Sequence, residues 1–226
     1  MQKIAQKYQV DPSVIIALWG VETNYGNFMG KTSVFQALST LAYEGRRQSF
    51  FEGELLEALH ILQDKHVALK DMYGSWAGAI GQCQFMPSSF RKYAVDEDQD
   101  GRKDIWNSYP DIFASIACYL KKKGWQYHAP WGIEVKMEKK LPAEILHHKV
   151  NKSVQQWRQL GIVFLEDPKR DKSFEQQQAS LIEVPVDPEG THKTFLVFKN
   201  FKVLLDWNSS YLFALSVGLL SDKIKR

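Results

Sequence analysis

Apolar residues recur at helical spacing near the start of the chain. Val14, Leu18, Val21 and Tyr25 share one stripe, widened by Ile15 and Trp19, and this periodicity predicts a mostly buried helix. Its start is punctuated: Asp11 is a good N-cap, Pro12 suits the first helical position, and Val10 with Ile15 has the spacing of a hydrophobic staple. Gly26 follows the last periodic residue and can take the left-handed conformation that closes a helix. A second run, Phe51 to Leu62, places Phe51, Leu55, Leu59 and Leu62 on one face with Glu52, Glu54 and Glu57 between them, and predicts an amphipathic helix. A third, Asp111 to about Lys123, turns Ile112, Ile116, Tyr119 and Leu120 inward, ends on lysines that suit the helix dipole, and stops at Gly124.

After Trp125 the pattern changes. Ile162 to Leu165, Ala179 to Val184, Thr194 to Phe198 and Phe201 to Trp207 are short, β-prone runs separated by turn residues such as Asp187-Pro188-Glu189-Gly190. They predict a small antiparallel sheet. A last helix, from about Ser209 to Ile224 and capped by Ser209 or Ser210, closes the chain. The expected class is α+β, mainly α. Residues 1–125 form a helical core, 126–208 a β-rich subdomain completing a cleft, and 209–226 a helix packed back on the core.

Composition narrows the function classes. With 44% apolar and 24% charged residues, the 226-residue chain has material for a real core. Its 29 basic and 26 acidic residues nearly balance, which disfavours a nucleic-acid binder. Two cysteines, Cys83 and Cys118, supply neither a disulfide framework nor a paired-ligand zinc site. No run is long enough to span a membrane, and the first residues lack the apolar centre of a signal peptide, so no export address is expected in them. Aromatic residues make up 13%, which serves core packing and is compatible with stacking on sugar rings.

Glu22 is the first chemically unusual position. It falls three residues after Trp19 and four after Leu18, at the edge of the apolar stripe. A carboxyl half-buried there is disfavoured in its charged form, and such a group can rise from about 4.3 to roughly 6 and donate a proton near neutral pH. The helix alone does not decide between this and an ordinary surface glutamate.

The surrounding residues do. Trp19-Gly20-Val21-Glu22-Thr23-Asn24-Tyr25-Gly26 and Met29-Gly30-Lys31-Thr32 closely resemble the catalytic segment of the lytic murein transglycosylase B family. Ala37 to Tyr43, Arg46-Arg47, Gly74 to Gly81 and Gln84-Phe85-Met86-Pro87-Ser88-Ser89-Phe90 follow in the family's order, and Phe195 to Phe198, Asn200-Phe201, Trp207-Asn208 and Tyr211 to Leu220 resemble its closing segment. The resemblance covers nearly the whole chain and is loosest from Tyr127 to Thr191. It implies a lysozyme-like helical core and an acid/base role for Glu22. By the same resemblance Ser75 would hydrogen-bond that carboxyl, Gln84 and Tyr119 would line the cleft, and Arg46 and Arg47 would meet sugar or peptide-stem carboxylates. Asn208 and Tyr211 would complete the wall.

Asp96, Asp98 and Asp100 stand at positions one, three and five of a loop with Gly101 at six and Ile105 at ten, the pattern of an EF-hand calcium loop. Arg102, at seven, would offer its backbone carbonyl. Asn107 replaces the usual glutamate at twelve, and the family resemblance implies that Asp111 closes the site instead. We expect a bound Ca²⁺, or another hard cation, with a structural role. His147-His148 lies in a basic stretch without metal-ligand spacing, and Cys83 is expected to be a buried thiol.

No second carboxylate accompanies Glu22 in the matched motifs, whereas most glycosidases use two. The resemblance implies substrate-assisted cleavage between N-acetylmuramic acid and N-acetylglucosamine, giving 1,6-anhydromuramic ends. The rivals are a lysozyme-like muramidase, identical up to the last step, and, if the N-terminal segment that family members carry ahead of the Val10 region and that is missing here is essential, a non-catalytic peptidoglycan-binding protein. Expected partners are peptidoglycan glycan strands, with cell-wall synthesis or division proteins as further partners of a monomer. The resemblance implies a location in the periplasm or at the outer membrane's inner face.

Overall fold

A computed structural model describes residues 1–165, 172–187 and 189–225. The chain divides into two compact units, Met1–Lys122 with Leu220–Arg226, and Lys123–Leu219.

The first unit is helical. Helix α1 (Gln2–Tyr8) leads through Gln9, in left-handed conformation, into α2 (Pro12–Thr23). Asp11 precedes α2 in extended conformation and is buried, but no side-chain cap bond forms from it. Helix α2 buries Val14, Ile15, Ala17 and Leu18, and each large aliphatic contributes about 1.5–3 kcal/mol. It does not close at Gly26. Asn24, at φ 47°, takes the left-handed cap and its N–H reaches the Gly20 carbonyl. Tyr25 and Gly26 continue in left-handed conformation at 59° and 85°. Gly26 is needed for proximity: a Cβ there would lie 2.4 Å from the Gln82 side-chain oxygen.

Next come β1 (Thr32–Ser33), α3 (Val34–Glu44) and α4 (Gln48–Gln63), and then β2 (Tyr73–Gly74), which pairs antiparallel with β1. The face of α4 differs from the predicted one. Leu59 is exposed and Phe51, Leu55 and Leu62 are only partly covered, while Glu54, Ala58 and Ile61 are buried. The reason is α5 (Pro87–Tyr93): the Glu54 carboxylate accepts the Ser88 N–H at 2.8 Å and the Ser88 hydroxyl at 2.6 Å, serving the first turn of that helix. Helix α6 (Tyr109–Lys122) buries nearly its whole centre, from Asp111 to Leu120.

The second unit is built on an antiparallel sheet. Strand β3 (Gly132–Met137) is followed by β4 (Lys152–Ser153), α7 (Val154–Gln159), β5 (Ile162–Phe164), α8 (Lys172–Gln176), β6 (Gln178–Pro185) and β7 (His192–Val197), in the sheet order β4-β6-β7-β3-β5. Trp157, Leu181 and Leu196 are fully buried at the centre of its core, with Val135 and Ile162. In the β6–β7 turn Asp187 accepts the Thr191 N–H at 2.8 Å; Pro188 of the predicted turn lies outside the described residues. The predicted strand at Phe201 to Trp207 is a helix, α9 (Lys199–Trp207), because Asn200, Phe201, Val203 and Leu204 bury at spacings of three and four. Ser210 caps the last helix, α10 (Tyr211–Lys225), its hydroxyl accepting the Phe213 N–H. The architecture is thus mainly helical with a small antiparallel sheet, as the patterning predicts.

Candidate active site

Helix α2 carries Glu22, half-buried, on its last turn. One turn earlier Trp19 meets the rings of Phe113, Tyr25 and Tyr109 edge-on, with centroids 5.1, 5.3 and 5.7 Å away. The aromatic surroundings of this turn are therefore built from α2, the left-handed segment that ends it, and α6.

Gln82, which sequence reasoning passed over, ties this turn down. It is buried at 7% exposure. Its side-chain oxygen accepts the Trp19 indole N–H at 2.7 Å, and its amide donates to the Trp106 carbonyl at 2.6 Å. Its backbone N–H reaches the Ile105 carbonyl, and its own carbonyl accepts the Thr23 hydroxyl at 3.3 Å. Helix α2, the acidic loop and the segment bearing Gln84 thus meet at one side chain. Nothing but its place between Gly81 and Gln84 marked it in the sequence.

Beyond α2 the chain passes Met29-Gly30, and two predicted residues gather there. The Gln84 side-chain amide donates to the Met29 carbonyl at 3.1 Å and to the Gly81 carbonyl at 3.0 Å, from a backbone at φ 48°. Ser75 is half-buried, and its hydroxyl oxygen accepts the Ala79 N–H at 3.0 Å and the Ala77 N–H at 3.3 Å. With both lone pairs engaged, that hydroxyl has its proton left to donate. Backbones approach closely here: a Cβ on Gly30 would stand 2.0 Å from the Gly74 carbonyl oxygen, and one on Gly74 2.0 Å from that of Ala79.

The other predicted residues are placed as follows. Tyr119 is buried, its ring 4.6 Å from Tyr93 and 5.9 Å from Phe85. Arg46 and Arg47 lie at the turn between α3 and α4. Arg46 faces Glu44 at 3.4 Å with its side chain 83% exposed, and Arg47 stacks over Phe50 at 4.1 Å. Asn208 and Tyr211 belong to the second unit; Asn208 accepts the Ser210 N–H at 3.1 Å, and Tyr211 contacts His148. Cys83 is fully buried, and burial first, then the charges of Glu22 and Asp111, pushes its thiol well above the usual range.

The acidic loop brings Asp96, Asp98 and Asp111 together, with one oxygen of each within 4.8 Å of the others. Asp111 is fully buried and accepts the N–H groups of Glu97 at 2.7 Å and Asp104 at 2.8 Å. Burial holds its carboxyl above the ordinary range, those N–H bonds oppose the shift, and the Asp98 charge adds to it. Asp100 is not in this group; its carboxylate accepts the Arg102 N–H at 2.8 Å. Three carboxylates with oxygen donors alone fit a hard cation such as Ca²⁺, not a thiophilic metal.

Residues 1–222 match the family model described as Transglycosylase SLT domain. Membrane-bound lytic murein transglycosylase B of Escherichia coli strain K12 is 34% identical over 221 residues, covering 97% of this chain and 58% of that protein. SltB3 of Pseudomonas aeruginosa, solved in complex with NAG-anhNAM-pentapeptide, superposes with a TM-score of 0.90 at 42% identity, over 99% of this chain and 59% of that one. The Escherichia coli lytic transglycosylase Slt35 in complex with calcium gives a TM-score of 0.86 at 32% identity, over 100% of this chain and 69% of that one. This chain therefore spans less than two thirds of the first two relatives, and its helical unit and small sheet have the lysozyme-like fold of these enzymes. On the family model, the sequence identity and the shared fold together, the chain belongs to the transglycosylase SLT domain family and, within it, to the lytic murein transglycosylase B group.

Proposed function

We propose that this chain is a peptidoglycan lytic transglycosylase in which Glu22 serves as acid and then as base. The observation that carries the reading is the placement of Glu22: half-buried on the last turn of α2, one turn from the Trp19 aromatic group, on a helix end anchored through Thr23 and Gln82 to the segment bearing Gln84. Glu22 protonates the oxygen between N-acetylmuramic acid and N-acetylglucosamine, and the bond from that oxygen to the muramic anomeric carbon breaks. The muramic acetamido oxygen stabilises the positive charge at that carbon. Ionised Glu22 then takes the proton of the muramic 6-hydroxyl, whose oxygen bonds to the anomeric carbon. Glu22 ends protonated, no water is consumed, and the product is a 1,6-anhydro end. The relative solved with NAG-anhNAM-pentapeptide supports this outcome.

Ser75, with only its proton left to offer, suits a donor to the ionised Glu22 carboxylate. Gln84, whose amide nitrogen is engaged twice, offers its oxygen to the substrate. In the same proposal Tyr119, Arg46, Arg47, Asn208 and Tyr211 bind the glycan or its stems. Asp96, Asp98 and Asp111, with the Arg102 carbonyl, hold Ca²⁺ in an EF-hand-like loop, supported by the donor set and by the relative solved with calcium. That ion fixes the loop, to which Gln82 is bonded through Ile105 and Trp106. Among the described residues no helix is long and apolar enough to cross a membrane. A relative that is membrane-bound and murein-cleaving supports a place in the periplasm or at the outer membrane.

The test is mass spectrometry of muropeptides released from purified sacculi. Anhydro ends from the native chain and none from Glu22→Gln are expected. Products heavier by one water would assign a muramidase instead, and unchanged release by Glu22→Gln would remove Glu22 from the chemistry.

A further inference from the structure

Resting on the reading above, we infer that the second unit carries an oxyanion site, formed by His147, His148, Lys149 and Lys202 at the start of α10, that receives the carboxylates of the peptidoglycan peptide stem. Three elements build it. The loop after β3 supplies the two histidines and Lys149, α9 supplies Lys202, and the first turn of α10 supplies Tyr211. The imidazole rings of His147 and His148 lie 4.3 Å apart, and His148 meets the Tyr211 ring edge-on at 5.5 Å.

The hydrogen bonds show which atoms are left to bind. Tyr211 Oη accepts the His148 backbone N–H at 3.3 Å and lies 2.6 Å from His148 Nδ1. With neutral His148, the phenol proton fills that second contact, so the ring proton resides on Nε2 and Nε2 is the free donor. Ser180 fixes the loop by sharing its one hydroxyl proton between the His148 carbonyl at 2.9 Å and Asn151 Oδ1 at 3.1 Å, and Lys202 donates to the same Asn151 oxygen. The donors are therefore held in place by neutral groups.

Charge decides the sign of the ligand. Among the described residues, neither Lys149 nor Lys202 forms an ion pair with a carboxylate, and Lys199, whose charge acts on Lys202, has no such partner either. The His148 imidazolium is disfavoured by burial first, and then by His147, Lys149 and Lys202. This surplus of positive charge works against a cation between the two rings. An anion is attracted by it, and by the N-terminal end of the 15-residue α10. Carboxylate and phosphate share this chemistry. The peptide stem is favoured because the relative SltB3 is solved with a pentapeptide-bearing ligand.

The test is a pH titration of the histidine side-chain resonances by NMR, practicable with six histidines. It is run on the whole chain alone, with muramyl pentapeptide, with the same peptide fully amidated, and with inorganic phosphate. Muramyl pentapeptide should raise the His148 pKa by about half a unit or more, since a nearby anion favours the charged ring. Lys149→Ala and Lys202→Ala should each raise its Kd roughly threefold. Lys149 is exposed, so its removal leaves the fold intact. An unmoved His148 with the carboxylate peptide, an equal response to the amidated peptide, or a response to phosphate alone would overturn the inference. Muramyl pentapeptide contains no glycosidic bond, so this result is read independently of glycan cleavage. Failure of cleavage would sink the function proposed above, and failure of the titration would sink this site.

Discussion

Replacing Gln82 with alanine probes the junction of α2 with the acidic loop. The variant strips the Trp19 indole N–H of its acceptor at 2.7 Å and the Trp106 carbonyl of its donor at 2.6 Å, inside a position only 7% exposed. Each buried group left unpaired costs about 1–3 kcal/mol. Water entering the vacated volume recovers part of this, so a total near 3 kcal/mol is expected. For a chain of this size roughly 2–4 °C of Tm accompanies each kcal/mol, which gives a fall of about 6–12 °C. Thermal unfolding followed by tryptophan fluorescence measures it, and Trp19 and Trp106 should report the change before the transition. Gln82→Glu is the informative companion. It keeps an acceptor for Trp19 but sets a carboxylate against the Trp106 carbonyl, so it should be at least as unstable as alanine. A Tm within about 2 °C of the native value for both variants would refute the account of Gln82 as the tie between these segments.

Three further outcomes are expected. Glu54→Ala should destabilise by about 2–4 kcal/mol in urea unfolding, because it removes both bonds to Ser88 at the start of α5; a loss under about 0.5 kcal/mol would show that α5 does not depend on it. Iodoacetamide at pH 8 should leave Cys83 unlabelled in the folded chain and label it in denaturant, since the thiol is fully buried and burial holds its pKa well above the usual range; rapid native labelling would contradict that environment. Calcium should raise the Tm, as a ligand at a hundred times its Kd adds about 2.7 kcal/mol, and Asp98→Ala should abolish the gain; an equal gain in that variant would remove the Asp96, Asp98 and Asp111 group from ion binding.

Much of the helical framework was legible because its signals are local. Helix α2 begins at Pro12 as its punctuation requires, and α6 buries Ile112, Ile116, Tyr119 and Leu120 as spaced. The departures arise where a distant partner outweighs the local pattern. Helix α4 turns Glu54 inward because a helix start more than thirty residues later needs an anion, and hydrophobicity cannot reveal such a debt. Phe201 to Trp207 has β-prone content but buries at helical spacing, so period should have outweighed composition. Asn24 takes the cap in place of Gly26, while Gly26, also left-handed, lies against the Gln82 side chain. Of the proposed site, Glu22, Ser75 and Gln84 are expected from motifs, whereas Gln82 acts through bonds to residues far along the chain.

Where Gly30, Gly74 and Ala79 lie against one another, main chain rests on main chain with no side chain between. A conventional core absorbs a substitution by rotating neighbours into new rotamers, but here the atoms nearest to an added Cβ are backbone, with the Val34 methyl only third at Gly74. Any added atom must be answered by a shift of the peptide planes, and because Ser75 follows Gly74 directly, that shift is handed on to its hydroxyl. The ledge beneath the site therefore sets position as a machined shim does, tolerating drift around it and almost none within it.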